Sequence, residues 1–155
     1  MSDYIAAIDA GTGSGRCVIF DSQGTQIALA SREWTHPTLP EYPGSFIFET
    51  NQNWRLLCES IKEALQKAHL GPDDIHGVSA TSMREGMVLY DKKGKEIWAC
   101  PNVDSRARTE VSQLIKKRFA KKIYSRAGDW LSITSPPRFL WIKKHQPEIT
   151  AEPPT

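Results

Sequence analysis

Cysteine is scarce in this chain. There are three, Cys17, Cys58 and Cys100, in 155 residues. Their spacing is not that of metal ligands, so a cysteine-held metal module is excluded. Cys17 and Cys58 fall on apolar patterns and are expected to be buried free thiols, which fits a reducing cytoplasm. Long apolar runs are missing too, so no segment is expected to span a bilayer. No basic segment precedes an apolar stretch, and no secretory leader is expected. Charge of one sign is also absent. Lys and Arg number 20 against 18 Asp and Glu, a net charge of +2. That gives no field to gather nucleic acid or an anionic membrane. Two familiar phosphate loops are lacking as well. There is no Gly-Lys-Ser/Thr of a Walker loop, and Arg16 stands where a dinucleotide fingerprint needs glycine.

What is present begins at residues 5–21. Two short runs rich in Ile, Val and Phe flank Gly11-Thr12-Gly13-Ser14-Gly15. Three glycines in five positions disfavour a helix. The stretch therefore reads as strand, tight turn, strand, with Asp9 ending the first strand and Arg16 beginning the second. Such a turn suits phosphate. Glycine lets the backbone approach an anion, Thr12 and Ser14 add hydroxyls, and Arg16 adds positive charge. Asp9 can hold Mg²⁺, directly or through water. The plainer reading is a glycine-rich hairpin with no ligand.

Along the rest of the chain, Asp21-Ser22-Gln23-Gly24 predicts a hairpin turn and residues 26–34 a third strand, making an antiparallel meander. Prolines 37, 40 and 43 force an irregular loop. A helix capped by Thr50 or Asn51 should bury Trp54, Leu57, Cys58, Ile61, Leu65 and Ala68, and end at Gly71-Pro72. Residues 77–82 read as a buried parallel strand, with Arg84 and Glu85 just beyond it. Asp91-Lys92-Lys93-Gly94 repeats the Asp-x-x-Gly turn between two more strands. Asp104 to Arg106 lead into a second amphipathic helix with Ala107, Val111, Leu114, Ile115 and Phe119 on its apolar face. The basic residues 116–122 read as a solvated helix end. Pro136 and Pro137 suit the first turn of a short helix through Ile142. An adjacent guanidinium and carboxylate, Arg84 and Glu85, can meet vicinal hydroxyls. Read alone, they are equally a surface pair, and Asp104 is equally an ordinary N-cap.

The motif Asp9-Ala10-Gly11-Thr12-Gly13-Ser14-Gly15-Arg16 resembles the first phosphate motif of the FGGY family of carbohydrate kinases. Ser82-Met83-Arg84-Glu85-Gly86, and Trp98 followed by Asn102, Asp104 and Arg106, resemble that family's substrate stretches. The resemblance runs over residues 5–148. It implies an α/β, ribonuclease-H-like (actin-like ATPase) fold, as part of the first domain of a two-domain kinase. It implies phosphoryl transfer from ATP with Mg²⁺ to a hydroxyl of a small sugar-like substrate. Asp9 would then serve the metal, and Gly11, Thr12, Gly13, Ser14 and Arg16 the phosphates. Arg84, Glu85, Trp98 and Asp104 would serve the substrate. The family's glycine-rich aspartate motif, second phosphate motif and adenosine motif are not found. The expectation is an incomplete N-terminal domain over residues 1–147, a frayed tail over 148–155, and a general base outside this chain. The rival reading is an inactive fragment that binds a ligand or a partner. A nucleic-acid module rests only on residues 116–122.

Overall fold

The computed structural model describes residues 3–150. Contacts divide the chain into two compact units, residues 1–35 with 49–83, and residues 36–48 with 84–155.

The first unit is built on a sheet of four strands, β1 (Tyr4–Ala10), β2 (Ser14–Phe20), β3 (Gln26–Glu33) and β4 (Ile75–Ser82), in the order β3-β2-β1-β4. The expected meander is present, since β1–β2 and β2–β3 are antiparallel. β4 runs parallel to β1, as expected of a strand entered from a helix, and Asp9 lies beside Thr81. The strands alternate. Ala6, Cys17, Ile19 and Ala30 are buried on one face, where they meet Ala64, Ile61 and Leu65 of helix α1 (Thr50–Ala68). β4 departs from the reading of a buried strand: it is an edge strand, and Val78 is 65% exposed.

Helix α1 also corrects the sequence in three respects. Its N-cap position is Glu49, with no side-chain cap bond. Its end is His69, whose left-handed φ of 56° turns the chain before Gly71. Its inward residues are Asn53, Leu57, Ser60 and Ala64, while Trp54 is 62% exposed. The physical reason lies in the sheet. Ser60 donates to the Gly15 carbonyl at 3.3 Å, and Leu57 packs beside the same glycine, so these positions face β2. The bulky Trp54 is turned to the flank.

The second unit holds a hairpin of β5 (Met87–Tyr90) and β6 (Glu96–Cys100), then helices α2 (Arg108–Lys116), α3 (Phe119–Ala127), α4 (Ser135–His145) and α5 (Pro147–Thr150). Its turn at Asp91 repeats the one at Asp21. In each, the Asp Oδ1 accepts N–H bonds from the residues two and four further on, and the glycine, Gly24 or Gly94, has φ near 80°. The core is Met87, Trp98, Cys100, Ala107, Trp141 and Ile142. The second amphipathic helix is broken where Arg118 takes φ 62°, and Ile115 and Phe119 are exposed rather than part of its apolar face. Residues 148–150 of the expected frayed tail lie in α5, and 151–155 fall outside the described residues.

Candidate functional site

The turn between β1 and β2 is held by one side chain. Trp34, 7% exposed, donates its indole Nε1–H to the Thr12 carbonyl at 2.9 Å and its backbone N–H to the Gly13 carbonyl at 3.0 Å. A trans peptide points its N–H opposite its C=O, so the N–H groups of Gly13 and Ser14 are turned away from Trp34. Gly11 N–H donates to the Ser14 carbonyl at 2.9 Å and closes the turn. Gly15 is needed for packing. A Cβ there would lie 2.6 Å from the Trp34 ring. A Cβ on Gly13 would meet nothing within 4 Å, which leaves open space for an incoming group.

Asp9 and Arg16 are direct partners in the β1–β2 register. By strand alternation they project from the face opposite α1, and Ser14 shares that face with Arg16. Arg16 Nε lies 3.2 Å from Asp9 Oδ2, and both side chains are partly exposed. This donor set fits a metal-bound phosphate. One carboxylate matches the sparse protein ligation of Mg²⁺, which draws its other oxygens from phosphate and water, and the hydroxyls and guanidinium suit the phosphate oxygens. Among the described residues, no group of three or more His, Cys, Asp or Glu forms an all-protein metal cage.

In the second unit, Arg84 is exposed and Glu85 half-buried. Glu85 has φ 61°, the left-handed region a side chain rarely adopts. Among the described residues, no ion pair joins Arg84 to Glu85. The same unit also holds a buried pair. Asp104 Oδ2 accepts from Arg106 Nε at 2.8 Å, from Arg106 Nη2 at 2.7 Å and from Phe46 N–H at 2.7 Å. The side chains of Arg106 and Asp104 are 3% and 0% exposed. The Arg106 guanidinium stands over the rings of Trp98 and Trp141, 5.1 and 5.0 Å from their centroids. Trp98 is 8% exposed and donates Nε1–H to Gln146 Oε1 at 2.9 Å.

A family model, "FGGY family of carbohydrate kinases, N-terminal domain", matches residues 4–153. The chain belongs to the FGGY family of carbohydrate kinases. Its similarity extends to the autoinducer-2 kinase of Enterobacter sp., 48% identical over 149 residues, which covers 94% of this chain and 28% of that one. The autoinducer-2 kinase of Yersinia enterocolitica is 48% identical over 150 residues, 95% of this chain and 28% of that one. The FGGY chain therefore spans about 28% of the length of the curated relatives it matches. Among solved structures it resembles a gluconate kinase from Lactobacillus acidophilus, with TM-score 0.83 and 22% identity, over 96% of this chain and 30% of that one. It also resembles a xylulose kinase from Rhodospirillum rubrum, with TM-score 0.79 and 25% identity, over 94% and 30%. The fold is the ribonuclease-H-like fold of the actin-like ATPases, in its first-domain portion.

Within this FGGY chain the structure brings Asp9, Ser14 and Arg16 onto one face of a hairpin. It does not leave Asp104 or Trp98 open to a ligand. Asp104 is not an N-cap either, because α2 begins at Arg108 with Ala107 before it. Two residues escaped the sequence reading. Trp34, just after the third strand, secures the turn between β1 and β2. Arg138, in α4, is 1% exposed and donates to the carbonyls of Glu85, Pro101, Asn102 and Asp104. Its only sequence signal was a cation near the N-terminus of a helix, where the dipole disfavours it. A cavity of about 460 Å³ lies beside it, lined by Asp104, Ala107, Leu131, Ile133 and Arg138 among others.

Proposed function

We propose that this chain is the N-terminal part of an ATP-dependent kinase that phosphorylates a hydroxyl of autoinducer-2, a dihydroxypentanedione signal. The 48% identity to autoinducer-2 kinases across 94% of the chain carries this reading. The Asp9–Arg16 hairpin supports it with a donor set suited to phosphate. In this reading the N–H groups and hydroxyls of residues 11–14, with Arg16, bind the phosphates of ATP. Asp9 holds Mg²⁺, which when bound neutralises charge on the phosphate oxygens. Arg84 and Glu85 bind and orient the substrate hydroxyls. Trp98 and Asp104 support that loop from the core and do not touch the substrate. The compartment we propose is the cytoplasm, in keeping with three free cysteines; among the described residues no helix is long and apolar enough to cross a membrane.

The test is a full-length kinase whose first part is this chain, assayed with dihydroxypentanedione and ATP. A buried substrate hydroxyl left without its partner costs about 1–3 kcal/mol, so Glu85→Ala should raise the sugar KM or lower kcat by about tenfold or more. The KM for ATP should stay nearly unchanged. Weakened ATP binding with the sugar spared would invert the assignment of the two sites. Unchanged kinetics would return Arg84 and Glu85 to a plain surface pair.

A further inference from the structure

We infer that Arg138 is a positioning residue for sugar recognition, clamping the backbone of Glu85 to the loop of residues 101–104. The inference rests on the reading of Glu85 as a sugar ligand given above. Arg138 is nearly sealed from solvent, yet all its hydrogen bonds run to main-chain carbonyls. Nη1 donates to the Glu85 carbonyl. Nη2 donates to the carbonyls of Pro101 at 3.1 Å, Asp104 at 3.3 Å and Asn102 at 3.4 Å. These acceptors come from two segments, one on each side of the β5–β6 hairpin. One carries Glu85, and the other carries the buried Asp104–Arg106 pair.

The arrangement is poorly suited to stability alone. Among the described residues no carboxylate pairs with Arg138, and its Nε has no partner. Arg138 also sits beside the first turn of α4, against the positive end of the helix dipole. Burying a guanidinium under those conditions is costly. What it supplies is geometry. The rigid fork reaches two loops at once, which a lysine point charge does not. One of its bonds falls on the carbonyl of the residue with φ 61°, a backbone conformation that persists only where its surroundings enforce it. Releasing that carbonyl lets Glu85 relax and carries its carboxylate off the position that meets a sugar hydroxyl.

The full-length kinase tests this with Arg138→Lys and Arg138→Met, alongside Glu85→Ala. Displacing a positioned ligand by an ångström is enough to cost one or two orders of magnitude, so Arg138→Lys should raise the sugar KM or lower kcat by about tenfold, with the KM for ATP within about twofold. Arg138→Met should lose more, leaving lysine as a partial rescue. Equal losses toward sugar and ATP, or a lowered melting temperature with both KM values intact, would overturn the inference. If Glu85→Ala impairs sugar use while Arg138→Lys does not, the clamp is wrong and the sugar site stands. If Glu85→Ala also has no effect, the site reading fails and takes the clamp with it. Should both Arg138 variants fail to fold, the unmodified chain decides. The Arg138 Nη protons should exchange with solvent much more slowly than those of exposed Arg84, and equal rates would exclude the clamp.

Discussion

Asp104 and Arg106 show how little a residue's identity says about its work. Two residues apart, they lie in a stretch that resembles the family's substrate stretch, with an N-cap as the plain alternative for Asp104, and they form an enclosed ion pair that also holds the Phe46 amide. Asp104→Asn keeps the shape and removes the charge. The Arg106 guanidinium is then left buried without its counter-ion, a loss of about 3–5 kcal/mol. Urea unfolding should show it, and a change below about 1 kcal/mol would mean the pair is dispensable. Cys100 gives a pH test. Burial pushes its thiol from an ordinary 9.0 up to about 12, and burial raises Cys17 as well. A raised value means that the folded state favours the neutral thiol. The stabilisation is therefore complete below pH 9.0 and is lost as pH climbs toward about 12. The urea midpoint should fall between pH 8.5 and 10.5 in the unmodified chain, and fall less in Cys100→Ala. Identical pH slopes in the two proteins would remove Cys100 as the cause.

At the scale of elements, α1 was placed correctly, and Leu57, Ile61, Leu65 and Ala68 of its expected face meet the core, but Trp54 does not. Apolar spacing picked Trp54, because a large apolar side chain outweighs a serine in any such count. The packing decides otherwise: Leu57 and Ser60 are the α1 side chains that reach Gly15, and Ala64 is fully buried, while Trp54 is left 62% exposed. Leu57→Ala should cost about 2–5 kcal/mol by emptying buried volume. Trp54→Ala should stay within about 0.5 kcal/mol. Chemical denaturation of both variants checks which of the two faces the core, and a larger loss at Trp54 would reverse the assignment. Across β3 and α1, Glu63 receives Lys67 at 2.7 Å and Arg32 at 2.6 Å. Hydrogen bonds from Lys67 and then Arg32 hold its carboxyl below the ordinary 4.5. That contribution is present above the usual carboxylate range and disappears as pH falls through the folded value. It is small, because solvent screens the network.

For the whole molecule, the proposed reading gives the described residues contacts for phosphate and for sugar hydroxyls, and it places none of them as the general base. The chain of 155 residues alone should give no phosphorylation of dihydroxypentanedione by ATP above background. Measured turnover that Asp9→Ala abolishes would overturn this, and would require a base among these residues.

The sequence by itself determined the strand–turn–strand hairpin, the meander, the parallel β4, both Asp-x-x-Gly turns and the family. Each of these depends on local pattern: alternation, glycine at positive φ, or a short motif in one run of chain. Only the tertiary structure decided that Trp54 is outside, that β4 is an edge strand, that Asp104 is enclosed and that Arg138 ties two loops together. Those outcomes depend on which segment packs against which, and on how closely. A helix face is set by the surface it meets, and a carboxylate is a ligand or a core group according to the arginine that reaches it. Arg138 binds carbonyls, which every residue carries, so no spacing of side chains along the chain could mark its partners.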